Sequence, residues 1–494
     1  MTLKFSESPA LQIKEIDLTG TVPAVTSTTG ALVGDFNWGP TGQPVLVGNE
    51  TELARAFGNP TSGDANSADF LSASYFLKYS SSLYVVRATK TGQKSATDGT
   101  FTAKNPGKLG NDIEVSVCQG DDWGTWAYTA LFDSAPSESD ELHIVVVSGG
   151  DVVETYDYVS NSSDSTSKDG ANNFFADVIN ARSSWITVDA GTASVSGGDY
   201  QLSDGEDGSG AVNYQSGYDK FKNKDEVQVD FLIAPAGDAT QGTFNVVIAV
   251  AEERMDCVAV GSLTKNTLSD INSYVSGLTR SSYAIVDANH FKVYNKYQDK
   301  YEWIPAASST AGVMAATDNV SAPWFSPAGS RRGQYVAVTE LLINPSKTER
   351  DILYKGGVNP IISKVGQGIM LFGDKTHLAR PSAFDRINVR RLFLVIERAI
   401  SAAGQNVMFE FNDEFTRAEF VNIVEPFLRE IQGRRGITDF RLVCDETNNT
   451  PEVIDRNEFI ASCFIKPARS INYVTLNFVA VRTGVEFEEV VGTI

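Results

Sequence analysis

One α/β pattern occurs twice in this chain, and a stretch of different composition separates the two occurrences. The first half runs strand, helix, helix, strand and ends on SLYVVRA at Ser82–Ala88. In the second half, strand-like apolar runs alternate with helical segments: Val229–Ala234, Cys257–Val260 and Tyr283–Asp287. Strands that alternate with helices are typical of a layered α/β domain. The pattern predicts one discontinuous middle domain, made of residues 21–90 and 215–345, with an insertion at a surface turn.

The inserted residues 91–214 have the composition of a small β-rich domain. Gly, Ser, Asp and Thr dominate, and four short apolar runs predict antiparallel strands: Ile113–Val117, Trp126–Phe132, His143–Val147 and Val152–Val159. Residues 91–220 contain 6 Lys and Arg against 21 Asp and Glu, a net charge of -15, whereas residues 331–440 carry +3. We therefore expect a solvated, acidic insertion and a C-terminal region that makes contacts.

The last third of the chain predicts a C-terminal domain over residues 346–482. Asn388–Ala403 and Phe415–Ile431 each place apolar residues along one helix face, and strands are expected at Phe440–Asp445, Glu458–Pro467 and Ile471–Arg482. The two ends of the chain, residues 1–20 and 483–494, are strand-prone but have no partner nearby in sequence. They predict extended arms with these apolar positions: Leu11, Ile13, Ile16, Leu18, Val485, Phe487, Val490 and Val491. The fold class is thus a multidomain α+β and α/β protein with strand arms.

Composition excludes several classes of protein. A formal charge of -21 over 494 residues argues against nonspecific nucleic-acid binding, which needs a basic face. The four cysteines have no metal-ligand spacing and are expected to be free thiols in a reducing compartment. The start has no apolar stretch of signal-peptide length, and runs such as Val246–Ala251 are too short to cross a bilayer. We expect no nucleic-acid partner and no membrane insertion.

Residues that carry chemistry are few. His143 lies in an alternating strand run, His290 is placed in a loop, and His377 follows Lys375 and Thr376; none of the three has a catalytic motif. The segment Gly368–Thr376 approaches a phosphate loop, but Asp374 separates its glycine from its lysine and would repel a phosphate. The sequence therefore predicts no catalytic residue and no nucleotide.

Metal and rival functions rest on weaker patterns. The cluster of Asp204, Glu206 and Asp207 does not match the spacing of a calcium loop, so no metal or cofactor is expected. An α/β hydrolase that uses Asp287 or Asp204 remains an alternative. A second alternative is a glycan-binding adhesin carried by aromatic residues of the insertion: Trp123, Trp126 and Tyr128.

Arginines recur on the two C-terminal helices. On the first helix and just before it lie Arg386, Arg390, Arg391 and Arg398; on and after the second lie Arg417, Arg429, Arg434 and Arg435. Each set is either a solvated face with local ion pairs or a docking surface for an acidic partner.

Three long segments resemble one family. They are TSTTGALVGDFNWGPTGQPVLVGNETELARAFGNP, ADFLSASYFLKYSSSLYVVRA and PARSINYVTLNFVAVRTGVEFEEVVG. In this order they are similar to the contractile tail sheath proteins of myoviruses. The likeness covers about residues 20–90 and 380–494, while residues 91–345 match poorly.

The resemblance implies a structural protein of the virion that is not an enzyme and is assembled in the host cytoplasm. Such subunits form six-membered rings that stack as a helix around a tail tube, with baseplate and tail terminator proteins as further partners. The helix shortens to drive the tube through the host envelope, and a phage-derived, tailocin-like injection particle would use the same subunit. The arms would add strands to neighbouring subunits, and the C-terminal domain would lie inside. The candidate tube-facing residues are Arg417, Arg429, Arg434 and Arg435.

Overall fold

A computed structural model describes residues 28–60, 65–137, 139–167, 169–263 and 268–472. Both predicted arms, including Leu11–Leu18 and Val485–Val491, lie outside these residues, as does nearly all of the strand predicted over Ile471–Arg482. The described part mixes helices and strands in several sheets, as an α+β multidomain protein does.

A six-stranded sheet forms the centre of the molecule, and both halves of the α/β pattern contribute to it. Five strands are parallel, and the edge strand Pro44–Val47 runs antiparallel. Gly30–Gly34, from the first half, pairs directly with Phe231–Ile233, from the second. In spatial order the strands are Ala284–Asp287, Val258–Ser262, Phe231–Ile233, Gly30–Gly34, Leu83–Arg87 and Pro44–Val47.

Helices cover both faces of this sheet, which explains its near-continuous apolar strands. On one face Phe244, Val247 and Ile248 pack against Ala31 and Ala259; the opposite face has its own buried cluster. The helices are Glu50–Phe57, Ala65–Phe76, Tyr214–Asp219, Gln241–Arg254, Leu268–Ser276 and Ala307–Val320.

The insertion contains a four-stranded antiparallel sheet in the order Gly198–Gln201, Ile113–Cys118, Glu141–Ser148, Asp151–Ser160, with a helix at Phe175–Arg182. A separate strand pair joins Phe101–Ala103 to Ile186–Val188. The strand predicted at Trp126–Phe132 is wrong, because only a 3-10 turn forms there, at Thr129–Leu131. The indole of Trp126 donates to Ser116 over 2.8 Å, and its ring packs on Phe132.

The chain enters and leaves the insertion side by side. Thr89–Lys90 pairs antiparallel with Val212–Asn213, and Gln93–Lys94 pairs with Glu206–Asp207. The two linkers therefore form a short double-stranded stalk.

A smaller layer follows the central sheet. A three-stranded sheet joins His290–Asn295, Lys300–Pro305 and Glu340–Leu341, so His290 begins a strand and does not lie in a loop. The helix Lys347–Lys355 begins with a capping box between Ser346 and Glu349. The hairpin Ile361–Lys364/Gly368–Leu371 comes next.

The C-terminal domain packs two long helices against a two-stranded hairpin. The helices are Ile387–Gln405 and Glu414–Gly433, the strands Ile437–Val443 and Ser462–Pro467, and a short helix at Pro451–Asp455 lies between the strands. Buried side chains of both helices form one core: Leu392, Ile396, Phe420, Val424, Leu428 and Ile431. Across the part of the chain that the structure describes, no helix has both the length and the hydropathy that crossing a bilayer requires.

Candidate assembly surface

The hairpin Ile437–Val443/Ser462–Pro467 has one inward and one outward face. Phe440, Leu442 and Ile465 pack against the core of the two long helices. On the outward face Arg441 lies opposite Phe464, whose side chain is 61% exposed. This alternation is typical of an antiparallel sheet with one face on a core.

Both outer edges of this hairpin are unpaired among the described residues up to Asn472. Within the residues that the structure describes, each of its strands pairs only with the other. An open edge presents unpaired N–H and C=O groups in a row, which is a template for one more strand. The hairpin is thus a ready acceptor for an extended segment on either side.

The arginines of the first long helix do not form a docking surface. The guanidinium of Arg391 binds the carboxylate of Asp318, with one contact of 2.7 Å, and both side chains are at most 5% exposed. Arg398 binds Asp230 over 2.6 Å. Arg390 is buried between the rings of Tyr283 and Phe384. The docking interpretation is therefore wrong for these residues, which bind the first long helix to the middle of the molecule.

Burial sets the electrostatics of these contacts. Desolvation raises the pKa of Asp230, and the nearby charge of Arg398 partly opposes that rise. Two charges that leave water lose hydration, and only close pairing compensates the loss. Removal of one member of such a pair therefore leaves the charge of the other buried and uncompensated.

Asp374 connects the last described residues of the chain to the helix Lys347–Lys355 and to the start of the first long helix. Its carboxylate accepts hydrogen bonds from Ser470 (2.7 Å), Tyr354 (2.9 Å) and Asn472 (3.1 Å), and Arg386 lies 3.1 Å away. Burial alone would raise the pKa of Asp374, but these hydrogen bonds and the charge of Arg386 outweigh it, so the pKa is lowered. Asn472, the last residue that the structure describes, is therefore held in place by Asp374.

The four candidate tube-facing arginines lie in different surroundings. Arg417 is buried, and its guanidinium donates to the side-chain oxygen of Asn412 over 2.9 Å. Arg429 is exposed and pairs with Glu425 one helical turn earlier. Arg434 pairs with Glu430 and lies over the ring of Trp324.

Arg435 adopts a left-handed backbone conformation, with φ of 66°, just after the second long helix. In sequence, Arg435 lies close to Arg429 and Arg434, at the end of that helix. Arg417 lies about 18 Å before Arg429 along the helix axis, at about 1.5 Å per residue.

An exposed apolar tip joins the two long helices, and the sequence analysis missed it. Phe409 and Phe411 are 101% and 84% exposed, with Met408 and Phe415 beside them in the sequence. Large apolar side chains gathered at a surface mark contact sites more often than chance allows. The run VMFEF after a helix was the available signal.

Asp287, Trp123 and Trp126, on which the rival functions partly rest, make internal contacts. Asp287 is fully buried and accepts hydrogen bonds from Thr310, over 2.6 Å, and Ser262. Trp123 and Trp126 pack against each other and against His143, so the insertion uses them in its own packing. In the described segments no group of three or more His, Cys, Asp or Glu side chains is placed to hold a metal ion.

Three family models match the chain. Residues 27–88 match the Tail sheath protein Gp18 domain III N-terminal region, residues 207–377 the Phage tail sheath protein central domain, and residues 379–480 the Phage tail sheath C-terminal domain. The likeness thus extends further into the middle than the sequence analysis indicated. The three models together leave residues 89–206 unmatched.

Curated relatives match nearly the whole length. The tail sheath protein of Salmonella phage ViI is 31% identical, over 99% of this chain and 98% of that protein. The tail sheath protein of Enterobacteria phage T4 is 30% identical, over 98% and 99%. The tail sheath protein of Vibrio phage KVP40 is 36% identical over 77% of this chain, and the match spans 61% of that protein's length.

Solved structures share the fold at low identity. The sheath tail protein from Listeria innocua aligns with a TM-score of 0.59 at 14% identity, over 90% of this chain and 96% of that one. The helical sheath of the anti-feeding prophage in its contracted state also gives 0.59 at 14% identity, over 96% and 99%.

Proposed function

The chain belongs to the phage tail sheath protein family and is a structural sheath subunit, and we propose that it polymerises as stacked six-subunit rings around a tail tube. On a baseplate signal the helix of rings shortens and drives the tube through the host envelope. The alignment with the ViI tail sheath protein, over almost all of both chains, is the observation that supports this proposal most.

The arms connect the subunits. Residues 1–20 and 483–494, through Leu11–Leu18 and Val485–Val491, add strands to the open edges of a neighbour's hairpin Ile437–Val443/Ser462–Pro467. Main-chain pairing at a sheet edge requires no fixed side-chain fit. The contact therefore survives while the rigid domains rotate, which a shortening lattice requires.

The domains lie at three distances from the axis of the tail tube. The C-terminal domain (346–482) lies innermost, the middle domain (21–90 and 215–345) outside it, and the acidic insertion (91–214) outermost. Net charge supports this order, because a shell of charge -15 kept in water resists lateral association. Arg429, Arg434 and Arg435, at the exposed end of the second long helix, face the tube.

No nucleotide, cofactor or catalytic step is involved. The free energy of contraction is stored when the subunits assemble in a metastable lattice, and a trigger at the baseplate releases it. The subunit works in a virion assembled in the host cytoplasm, with baseplate and tail terminator proteins at the two ends. A phage-derived injection particle would use the same device, although the curated relatives reported above all come from phages.

Deletion of residues 484–494 tests the proposal. We expect a folded protein, with unchanged circular dichroism, that no longer forms striated tubes in negative-stain electron micrographs of the concentrated protein. The full chain, prepared in parallel with added tail tubes, is the positive control. Normal tubes from the deletion variant would exclude the C-terminal arm as an essential connector.

A further inference from the structure

The tip between the two long helices, residues 408–415, combines apolar and acidic side chains. It reads MFEFNDEF and contains no lysine or arginine. Glu410 and Glu414 are exposed, and the carboxylate of Asp413 accepts the backbone N–H of Thr416 at the start of the second long helix. The four large apolar side chains are 59% to 101% exposed: Met408, Phe409, Phe411 and Phe415. A partner that covers the tip therefore has to offer both cations and apolar surface.

Phe409 has a backbone conformation that a bulky residue seldom adopts. Its φ is 72°, in the left-handed region, where Cβ lies too close to the following carbonyl oxygen. Among the described residues nothing covers its side chain, which is fully exposed. Strained residues of this kind concentrate at sites that bind a ligand or a partner. The conformation thus indicates a contact site at the tip.

A groove of about 940 Å³ lies at the opposite end of the same two helices. Asn388, near the start of the first helix, and Gln432, near the end of the second, line it. Residues of the helix Lys347–Lys355, in the preceding layer, line it as well. Ligand pockets typically enclose about 300–1,000 Å³, so the groove can hold several side chains of a partner.

The groove is basic although the whole chain carries a formal charge of -21. Two carboxylates line it, and one of them, that of Asp374, is already bound to Arg386. Within the described segments of the chain, no cation of the groove forms an ion pair. These cations are Arg332, Lys347, Arg350, Arg435 and Arg469. The groove therefore has positive charge left for an acidic partner.

Aromatic rings lie beside these cations. The guanidinium carbon of Arg332 is 5.2 Å from the ring centre of Phe325, and that of Arg350 is 5.5 Å from the ring centre of Phe372. The groove thus offers cations for the carboxylates of the tip and rings for its phenylalanines. The acidic loops of the insertion, such as SDGEDGSG, have no apolar side chains to match these rings. Charge and apolar surface together favour the tip as the occupant.

The tip cannot reach the groove of its own copy. The second long helix has 20 residues, about 30 Å in length, and the tip and the groove lie at its opposite ends. We propose that the tip of one copy inserts into the groove of another copy, with Glu410 and Glu414 facing Lys347 and Arg350. This inference rests on the proposed polymerisation and adds to it a contact between folded domains.

Such a contact repeats along a polymer. The tip and the groove are different surfaces, so each copy in a joined pair keeps one of them free for a further copy.

Two charge-reversed variants of the full chain test this contact: E410K/E414K at the tip and K347E/R350E in the groove. Each should keep a melting temperature near that of the parent, since Glu at positions 347 and 350 suits the start of a helix. With purified tail tubes added, light scattering gives the protein concentration at which sheath tubes form. We expect each variant alone to need about tenfold more protein than the parent, because like charges then face each other.

Mixing the two variants is the decisive step. In an equimolar mixture the reversed tip of one variant meets the reversed groove of the other, so sheath tubes should form near the concentration that the parent needs. The single changes E410K and K347E, at two exposed positions, give a second mixture with an effect of about threefold. The variant R55E/R182E, with the same net charge as K347E/R350E, is the control. Mixed with E410K/E414K, it should give no rescue.

The outcomes separate this contact from the proposed function. Sheath tubes at the parent's concentration from either double variant alone, or no gain when the two are mixed, would overturn the contact of tip and groove and leave the stacked rings standing. If the parent itself forms no sheath tubes around added tail tubes, the result counts against the proposed function and against this contact with it.

Discussion

Buried ionisable side chains set much of the behaviour of this protein at the scale of single residues. Asp69 and Asp287 lie at the carboxyl ends of central-sheet strands or beside them, and both are fully buried. Asp69 accepts three backbone N–H groups, from Asp35, Ala236 and Gly237. Burial raises the pKa of each carboxyl to about 7. Two acids therefore stay largely neutral in the folded chain below that pH.

The variant Asp287→Asn should flatten the dependence of stability on pH. The unfolded carboxyl ionises near its ordinary value of 3.8 and the folded one near 7, so stability is full below pH 4 and is lost as pH rises to 7. The variant loses this contribution, which we expect to be about 2 kcal/mol between pH 5 and 8. Urea unfolding at both pH values measures it. An undiminished slope in the variant would show that Asp287 does not titrate in this way.

The variant Arg391→Ala should destabilise the monomer by about 3 kcal/mol, because it leaves the carboxylate of Asp318 buried and unpaired. Arg429→Ala, which removes an exposed pair with Glu425, is the matched control and should cost less than about 1 kcal/mol. Chemical denaturation gives both values. Equal losses for the two variants would contradict the distinction between buried and exposed pairs.

At the scale of helices and strands, an element was predictable where its apolar residues recur at a regular spacing. The two long C-terminal helices were predicted within three residues of their observed ends, because each has one apolar face. Ala307–Val320 was missed, since a helix of small residues buried on nearly all sides has no such face.

The stretch Trp126–Phe132 was misassigned because its aromatic residues alternate with other residues, as they do along a strand. In the structure the ring of Trp126 packs against Tyr128 and Phe132 instead. For the assembly surface, the spacing of the arginines indicated where the helices lie but not which residues the arginine side chains contact. Asp318 and Asp230 are 73 and 168 positions from their partners, and no local pattern reveals pairs at such separations.

The variant Phe464→Ser should leave the monomer intact and weaken polymerisation. Phe464 is largely exposed on the outward face of the hairpin, where an added strand would cover it. We expect a change of unfolding free energy within about 0.5 kcal/mol and a higher protein concentration for tube formation, read by light scattering. Leu131→Ser, at an exposed leucine of the insertion, is the control. An unchanged threshold would remove the outward face from the contact.

At the scale of the whole molecule, we expect the insertion to be a separable part. Its stalk brings Lys94 opposite Glu206, so an Asn-Gly turn in place of residues 95–205 closes a hairpin. We expect the shortened chain to fold with a loss of about 1–3 kcal/mol, because Arg87 loses the carbonyl of Pro106 as a partner and Trp38 loses its stacking contact with Trp185. Circular dichroism and analytical ultracentrifugation measure the outcome. Aggregation of the shortened chain would show that the insertion belongs to a shared core.

The anchor at Asp374 limits the dimensions of any lattice that this chain builds by exchange of its C-terminal arm. The segment from Asn472 to Val485 contains 13 steps of chain, and a fully extended chain advances at most about 3.3–3.6 Å per step. A donor anchor and the hairpin that accepts its arm can therefore never be more than about 47 Å apart. Lengthening or shortening this connecting segment by a few residues should change the widest spacing at which neighbouring subunits remain connected.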